Sequence, residues 1–308
     1  MTIFLYSLMC FIFGTTFLAI KIGVDVGLPP FFSAGIRFLL AGAVIFLFFV
    51  YRMSSIKSLL FRKELIFTGF SLTFITFSCL YWAEQFVTSG VAAVLSATGP
   101  LLIIMLQRMM FKTRITFISI IGVIIGFIGV VFLFLPGLAI EFNTKWLIGC
   151  GAILIGEVGY AWGTIYSSKV IAAFHSVSPI ALNAVQMIYG GIFLIVLSAI
   201  AGEPIPAFSM EGISSIAYLI IAGSMLGHTI YYYLVAKTNA FFPSTWLYVS
   251  PLIALAIGSF FYNEYFHPIM LIGILFILTS LFLINYHKIH HHIKGKKITA
   301  AKSINISS

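Results

Sequence analysis

Along most of its length the chain is a series of apolar blocks of about twenty residues, separated by short polar breaks. A helix needs about 20 apolar residues to cross a hydrocarbon core roughly 30 Å thick. Composition points the same way: of 308 residues, 61% are hydrophobic and 8% charged. A soluble domain carries about 25% charged residues. A water-soluble fold of this length could not hide so much apolar surface. The expected fold is an all-α, multi-pass membrane protein, with the lipid bilayer as its first partner.

The blocks read as ten transmembrane helices at roughly 2–22, 31–51, 64–82, 88–107, 115–135, 146–168, 178–199, 213–234, 243–262 and 267–286. Turn residues mark the breaks: Gly27-Leu28-Pro29-Pro30, Pro136-Gly137, Gly202-Glu203-Pro204-Ile205-Pro206 and His267-Pro268. No basic segment precedes the first block and no small-x-small cleavage site comes after it, so it reads as a span and not a signal peptide. Cys10, Cys79 and Cys150 all fall inside apolar blocks, away from disulfide or metal spacing.

The charges sort by side. With the N-terminus in the cytoplasm, the inner connections hold Arg52, Lys57, Arg62, Lys63, Arg108, Lys112, Arg114, Lys169 and Lys237. The tail adds Lys288, Lys294, Lys296, Lys297 and Lys302. The outer connections hold Asp25, Glu84, Glu141, Glu203, Glu211 and Glu264, with Lys145 as the exception. Lysine and arginine stay cytoplasmic because their translocation is disfavoured. Both termini are therefore expected inside. The net charge of +9 arises from topology signals beside an anionic leaflet, and no nucleic-acid partner is called for. The tail HKIHHHIKGKKITAAKS reads as a solvated basic segment over 287–308, since no carboxylate or cysteine completes a metal-ligand set.

The two halves repeat. A shift of 149 carries Gly14-Thr15 onto Gly163-Thr164, Pro30 onto Pro179, Arg37 onto Gln186 and Gly42 onto Gly191. Further on, a shift of 151 carries Tyr81 onto Tyr232, Pro100-Leu101 onto Pro251-Leu252 and Gly122 onto Gly273. Each half holds five spans. Five is odd, so residues 2–135 and 146–286 are expected to be inverted five-helix repeats. Inverted repeats enclosing a midplane site are a signature of secondary transporters.

On these residues the chain resembles the EamA-like branch of the drug/metabolite transporter superfamily. FGTTFLAIKIGVDVGLPPFFSAGIRFLLAG is similar to that family's first two spans: a Gly-rich helix ending near a Lys, a Pro pair, then an Arg early in the second helix. TSGVAAVLSATGPLL and FFPSTWLYVSPLIALAIGSFFYNEYF look like its fourth and ninth spans, each with a mid-helix proline. The resemblance covers about residues 5 to 286. It implies ten helices, a cell-membrane location, and export or exchange of small metabolites. Where the family often has Gly-Glu after spans four and nine, this chain has Lys112-Thr113 and Asn263-Glu264.

Glu157 is the residue most in need of an explanation. It lies 11 residues into span six, about 16 Å along the helix and so near midplane. An intramembrane acid is expensive and usually faces a cavity or a partner. It reads as a substrate or proton site, or as a structural carboxyl bonded to a neighbouring helix. Tyr160, Thr164 and Ser168 share its face. Arg37, one or two turns into span two, reads as the partner of an anionic group or of Glu157, or as an arginine snorkelling outward. Lys21 reads as an interfacial charge. In span seven, Asn183 and Gln186 share a face with Gly190. Asn183 reads as packing, and Gln186 draws interest as the repeat mate of Arg37. In span eight, the GxxxG of Gly223 and Gly227 leads into His228, Tyr231 and Tyr232. Glu157, Trp162, Gln186, His228, Tyr232, Tyr81 and Arg37 are the expected substrate-binding set, and Pro100 and Pro251 the expected hinges.

The sequence contains no HExxH, P-loop, GxSxG or clustered acid pair, so neither an enzyme nor a cofactor is expected. The expected function is secondary transport of a small molecule, such as an amino acid or another amphipathic compound, out of the cell and driven by a gradient, with protons one candidate coupling ion and a structural Glu157 the other reading. The alternatives are a nucleotide-sugar or lipid-linked carrier, or an intramembrane enzyme pairing Glu157 with His228.

Overall fold

The computed structural model of the chain describes residues 1–52, 54–111, 116–137, 143–204, 209–253 and 267–284. Among them every regular element is helical. The elements are α1 (Thr2–Asp25), α2 (Pro30–Arg52), α3 (Lys63–Ala83), α4 (Ser89–Met110), α5 (Phe117–Phe134), α6 (Thr144–Ala173), α7 (Pro179–Ile200) and α8 (Met210–Lys237). The chain then forms α9, a short helix at Phe241–Ser244 that resumes over 246–253, and α10 (Ile269–Ile284). Seven helices, α1 to α4 and α6 to α8, are long and apolar enough to cross a membrane, whereas the apolar stretches of α5 and α10 are shorter. The second part of the expected ninth span, from residue 254, lies outside the described residues. So do Lys112, Thr113, Arg114, Glu141, Ile205, Pro206, Asn263, Glu264 and the histidine-bearing tail.

Polar residues start the spans where the sequence changes from turn to apolar block. Thr88, Asn143 and Ser209 accept hydrogen bonds from the backbone amides of Val91, Trp146 and Gly212, two or three residues into α4, α6 and α8. Ser178 caps α7 through Ile180, with Pro179 at the first helical position, where its missing N–H costs nothing.

Three helices depart from regular α geometry. α3 is π-helical over Gly69–Ile75 and α8 over Leu219–His228, so the two irregular stretches begin 150 residues apart. α4 is interrupted at Ala97–Thr98 and resumes at Gly99. Pro100 explains that break, since it has no amide to donate and its ring crowds the carbonyl of Ser96.

The seam between α2 and α7 is reciprocal. A Cβ on Gly42 would stand 2.7 Å from the carbonyl of Ala184 and 2.9 Å from the amide of Ile188. A Cβ on Gly191 would stand 2.9 Å from the carbonyl of Gly35 and 2.6 Å from the amide of Leu39. The shift of 149 carries Gly35 onto Ala184, Leu39 onto Ile188 and Gly42 onto Gly191. Each helix thus presents its glycine to the same two positions of the other, and the two run antiparallel. α5 and α10 repeat the pattern: Gly126 faces Ser280 and Gly129 faces Ile277, and a shift of 151 exchanges the two pairs. Without a hydrophobic drive between helices in lipid, such close backbone approach supplies the packing. Gly156, Gly159 and Gly163 of α6 lie in the same way against Thr76, Ile75 and Leu72 of α3. This fixes the Glu157 face of α6 beside the π-helical stretch.

Candidate functional site

A cavity opens where α1, α2, α3, α4, α6, α8 and α9 meet. Its volume is about 50 Å³, so side chains must shift for a metabolite to enter. Its wall is mainly apolar and aromatic, with Phe13 and Phe17 from α1, Phe77 from α3 and Trp246 from α9. Set into that wall are a few polar groups, which is the usual make-up of a small-molecule site.

Glu157 faces this cavity from α6 and is 6% exposed. The hydroxyl of Ser96, at the end of the first segment of α4, is within hydrogen-bonding reach of its carboxyl. The other oxygen, Oε2, lies against Gly99 and finds no partner among the described residues. The break in α4 therefore brings both Ser96 and a side-chain-free position up to the acid. One turn along α6, Tyr160 donates to the hydroxyl of Tyr231 at 3.2 Å and accepts from Trp246 Nε1 at 3.2 Å. Thr164 closes the chain on Tyr231 at 2.9 Å. The stripe Glu157, Tyr160, Thr164 is thus one edge of the site, tied across to α8 and α9.

Arg37 faces the cavity from α2 and is 1% exposed, so it does not snorkel outward. Its Nε donates to Ser224 Oγ at 2.8 Å and its Nη1 to the hydroxyl of Tyr81 at 3.1 Å. The rings of Phe38 and Phe77 lie 4.7 and 5.3 Å from its guanidinium carbon. Those two rings and Phe13 also surround the imidazole of His228, at centroid distances of 5.3, 5.8 and 5.3 Å. His228 Nδ1 has no partner among the described residues. Among the described residues Glu157 forms an ion pair with neither Arg37 nor His228.

The other sequence-selected residues lie elsewhere. Tyr81 touches the site through Arg37. Gln186 is fully buried in the seam of α7 and α3, accepting from Thr73 at 2.7 Å and donating to Asn183 at 2.9 Å. Tyr232 is buried in α8 with its hydroxyl toward Ser167, and is not on the cavity wall. Trp162 is 37% exposed and borders a separate hollow with Phe67, Tyr166 and Lys169. Pro100 stands at the break of α4 beside Gly99, and Pro251 comes directly after Ser250, whose backbone carbonyl packs on Gly14.

Glu84 is the residue that sequence reasoning missed. Read as a loop acid, it is instead fully buried where α3 ends, and neither carboxyl oxygen has a partner among the described residues. Lys21 of α1 reaches the site but donates to the backbone carbonyl of Glu84, at 2.9 Å, and pairs with Asp25 at 2.9 Å. Burial pushes the Glu84 carboxyl well above the usual carboxylate range, with Lys21 opposing and Asp25 adding to the rise. No group of acids, histidines and cysteines suited to a metal occurs among the described residues.

This geometry has close counterparts among known proteins. A solved structure described only as "Crystal structure of protein" superposes with a TM-score of 0.75, covering 92% of this chain and 95% of that one. At 16% identity, this likeness is one of fold. The chain is 30% identical to the uncharacterized inner membrane transporter YedA of Escherichia coli K12, covering 80% of this chain and 78% of YedA. It is 30% identical to an uncharacterized transporter of Buchnera aphidicola, over 90% of this chain and 91% of the relative. A WAT1-related chloroplastic protein of Arabidopsis thaliana is 25% identical over 90% of this chain and 67% of that protein. The EamA-like transporter family model matches residues 1–135 and again 147–286. With a cavity inside a multi-pass apolar helix assembly and transporters as relatives, the chain is a membrane transporter and belongs to the EamA-like transporter family.

Proposed function

We propose that the chain is a secondary transporter whose two inverted five-helix halves, residues 2–135 and 146–286, rock about the shared cavity. Its cargo is a small amphipathic metabolite such as an amino acid, and it moves outward across the cell membrane. Both termini and the basic tail 287–308 lie in the cytoplasm on this reading, as the lysine and arginine distribution favours. The reciprocal seam of α2 and α7, the matched π-helical stretches and the two stretches matched by the family model support the division into halves. Pro100 and Pro251 serve as the hinges.

Glu157 carries the reading. It is an acid near midplane, in the wall of a cavity built by helices of both halves, with one carboxyl oxygen unpartnered among the described residues. A carboxyl so placed can bind the cationic end of a cargo or carry a proton in exchange for it. A nucleotide-sugar or lipid-linked cargo is disfavoured, because phosphates call for several cations and Arg37 is the one lysine or arginine on the wall among the described residues.

The test is flux in liposomes. The wild type and Glu157→Gln are reconstituted and screened with a pool of amino acids and amphipathic metabolites for substrate-driven pH change. The expected result is proton movement with a subset of the pool in the wild type and none in the variant. Equal substrate movement by both, without proton flux, would make Glu157 a structural group.

A further inference from the structure

Arg37 poses a problem that the fold alone does not solve. Its guanidinium stays protonated in any protein setting and carries five N–H donors. At 1% exposure it has left water almost completely. Its partners are two neutral hydroxyls, on Ser224 and Tyr81, and two ring faces. None carries a negative charge. Among the described residues the one ion pair joins Lys21 to Asp25; the acid whose charge acts on Arg37 is the buried Glu84, and it stands beyond ion-pair distance. A buried charge that lacks a counter-charge is strongly destabilising, whereas replacement by an apolar or neutral polar group is often neutral or favourable. A purely structural role would be met better by the glutamine that stands at the mate position, Gln186.

The fork is also held in place. Nε and Nη1 are committed, and the flanking rings fix its plane. Nη2 lies over Gly223, where a Cβ would stand 2.8 Å away, so a side chain at position 223 would displace the guanidinium and glycine lets it lie there. Arg37 is on the cavity wall, beside Phe77 and within reach of the apolar lining from Phe13, Phe17 and Trp246. A fixed guanidinium edge recognises a planar, two-oxygen anion. A single cation matches a single negative charge, and the aromatic wall matches an apolar body.

We infer that Arg37 is the carboxylate-binding residue of the cavity, and that the cargo is a monocarboxylate with an apolar or aromatic body. This rests on the transporter reading of the cavity, and it assigns the end of the cargo opposite to the one that meets Glu157. Ser224 and Tyr81 are positioning residues, which act by holding the fork.

Binding to the purified full chain tests this without any transport step. The probes are 3-phenylpropanoate, its neutral isostere 3-phenylpropanamide and 3-phenylpropylamine, titrated by calorimetry into the wild type, Arg37→Gln, Arg37→Lys and Ser224→Ala. In the wild type the acid binds about ten- to a hundredfold more tightly than the amide, the scale expected for a desolvated charge pair. Arg37→Gln removes most of the preference for the acid and costs the amide far less. Arg37→Lys keeps part of the preference, because it retains the charge and loses the fork. Ser224→Ala weakens the acid selectively and keeps the charge if Arg37→Gln fails to fold. Equal affinity for acid and amide overturns the inference, as does preference for the amine, a parallel loss of both ligands in Arg37→Gln, or no binding of the acid. The two readings fail separately. Acid binding without flux in liposomes removes the transport reading alone, and flux without acid preference removes this one alone.

Discussion

Arg37 and Gln186 are related by the shift of 149, and each has one partner that corresponds to one of the other's. Arg37 reaches across to Ser224, and Gln186 reaches across to Thr73. The shift that relates Tyr81 to Tyr232 also carries Thr73 onto Ser224. On the proposed division into two halves these positions correspond, while their chemistry does not. The first half places Lys21, Arg37 and Glu84 at the C-terminal ends of α1 and α3 and the start of α2. At the mate positions the second half has Val170, Gln186 and Val235, all buried. Because α2 and α7 run antiparallel, these two sets sit at opposite ends of the bundle. One end carries the buried Arg37 and Glu84 with the partly exposed Lys21, and the other two buried valines with the hydrogen-bonded Gln186. Separating charged groups into water recovers their hydration, whereas separating apolar groups exposes them to it. Opening the two ends thus carries different energetics, although one helical framework serves both.

The most severe way to break this contrast is to move the acid across. Val235→Glu places the mate of Glu84 where Val170, and not a lysine, would have to meet it. An unpaired buried charge costs about 3–5 kcal/mol, so the variant is expected to lose most of its folded fraction by size-exclusion chromatography in detergent. Val170→Lys with Val235→Glu should recover part of that loss. No recovery would mean that the charged end depends on more than these two positions.

The next effect is smaller and separates binding from stability. Gln186→Leu leaves the hydroxyl of Thr73 and the amide of Asn183 with less to bond, at about 1–3 kcal/mol. It should lower the melting temperature and leave affinity for 3-phenylpropanoate unchanged. Arg37→Gln, which makes the two pairs chemically alike, should lower that affinity and leave the melting temperature unchanged or raised. If the two variants shift the same readout, the pairs do not differ in kind.

Much of this was legible from the sequence. Apolar blocks with a cap or a proline at their start marked the helices, seven of them long enough to cross a membrane, and matched prolines and glycines point to the proposed repeat, because close helix packing leaves little freedom at those positions. Glu157 and Arg37 stood out because charge is costly in lipid. Position on a helical face was harder to read. The face reading grouped His228, Tyr231 and Tyr232, yet His228 and Tyr231 line the cavity and Tyr232 does not. Tyr231 and Tyr232 are consecutive in a regular helix and so point about 100° apart, and of the two only Tyr231 turns to the cavity. Ser96 was missed because only the break at Pro100 turns it toward Glu157. Gln186 draws attention as the mate of Arg37, but it bonds Asn183 where Arg37 bonds Tyr81, and it lies off the cavity wall. Glu84 carried a signal that was available and unused: with Lys21 and Arg37, it is a charge whose repeat mate is not.

Glu84 also gives the smallest and most specific prediction, since it isolates the charged end. The groups that act on its carboxyl are Lys21 and Asp25 on α1 and Arg37 on α2, and it acts in turn on Tyr81 of its own helix. In an unfolded chain a glutamate titrates at about pH 4.3. Folded, burial raises that value, so between the two the folded chain holds the proton more firmly than the unfolded chain. The stability this contributes is complete below the ordinary carboxylate range and is lost as pH rises through the folded value. The wild type should therefore melt at a lower temperature at a mildly alkaline pH than at a mildly acidic one. Glu84→Gln cannot lose the proton, so its decline over the same range should be shallower. Lys21→Ala removes the opposing charge and should move the wild-type decline to higher pH. Parallel slopes for wild type and Glu84→Gln would show that Lys21 and Arg37 already compensate the carboxylate. Both ends of the bundle would then be closed without a titrating group, and the contrast between them would reduce to packing.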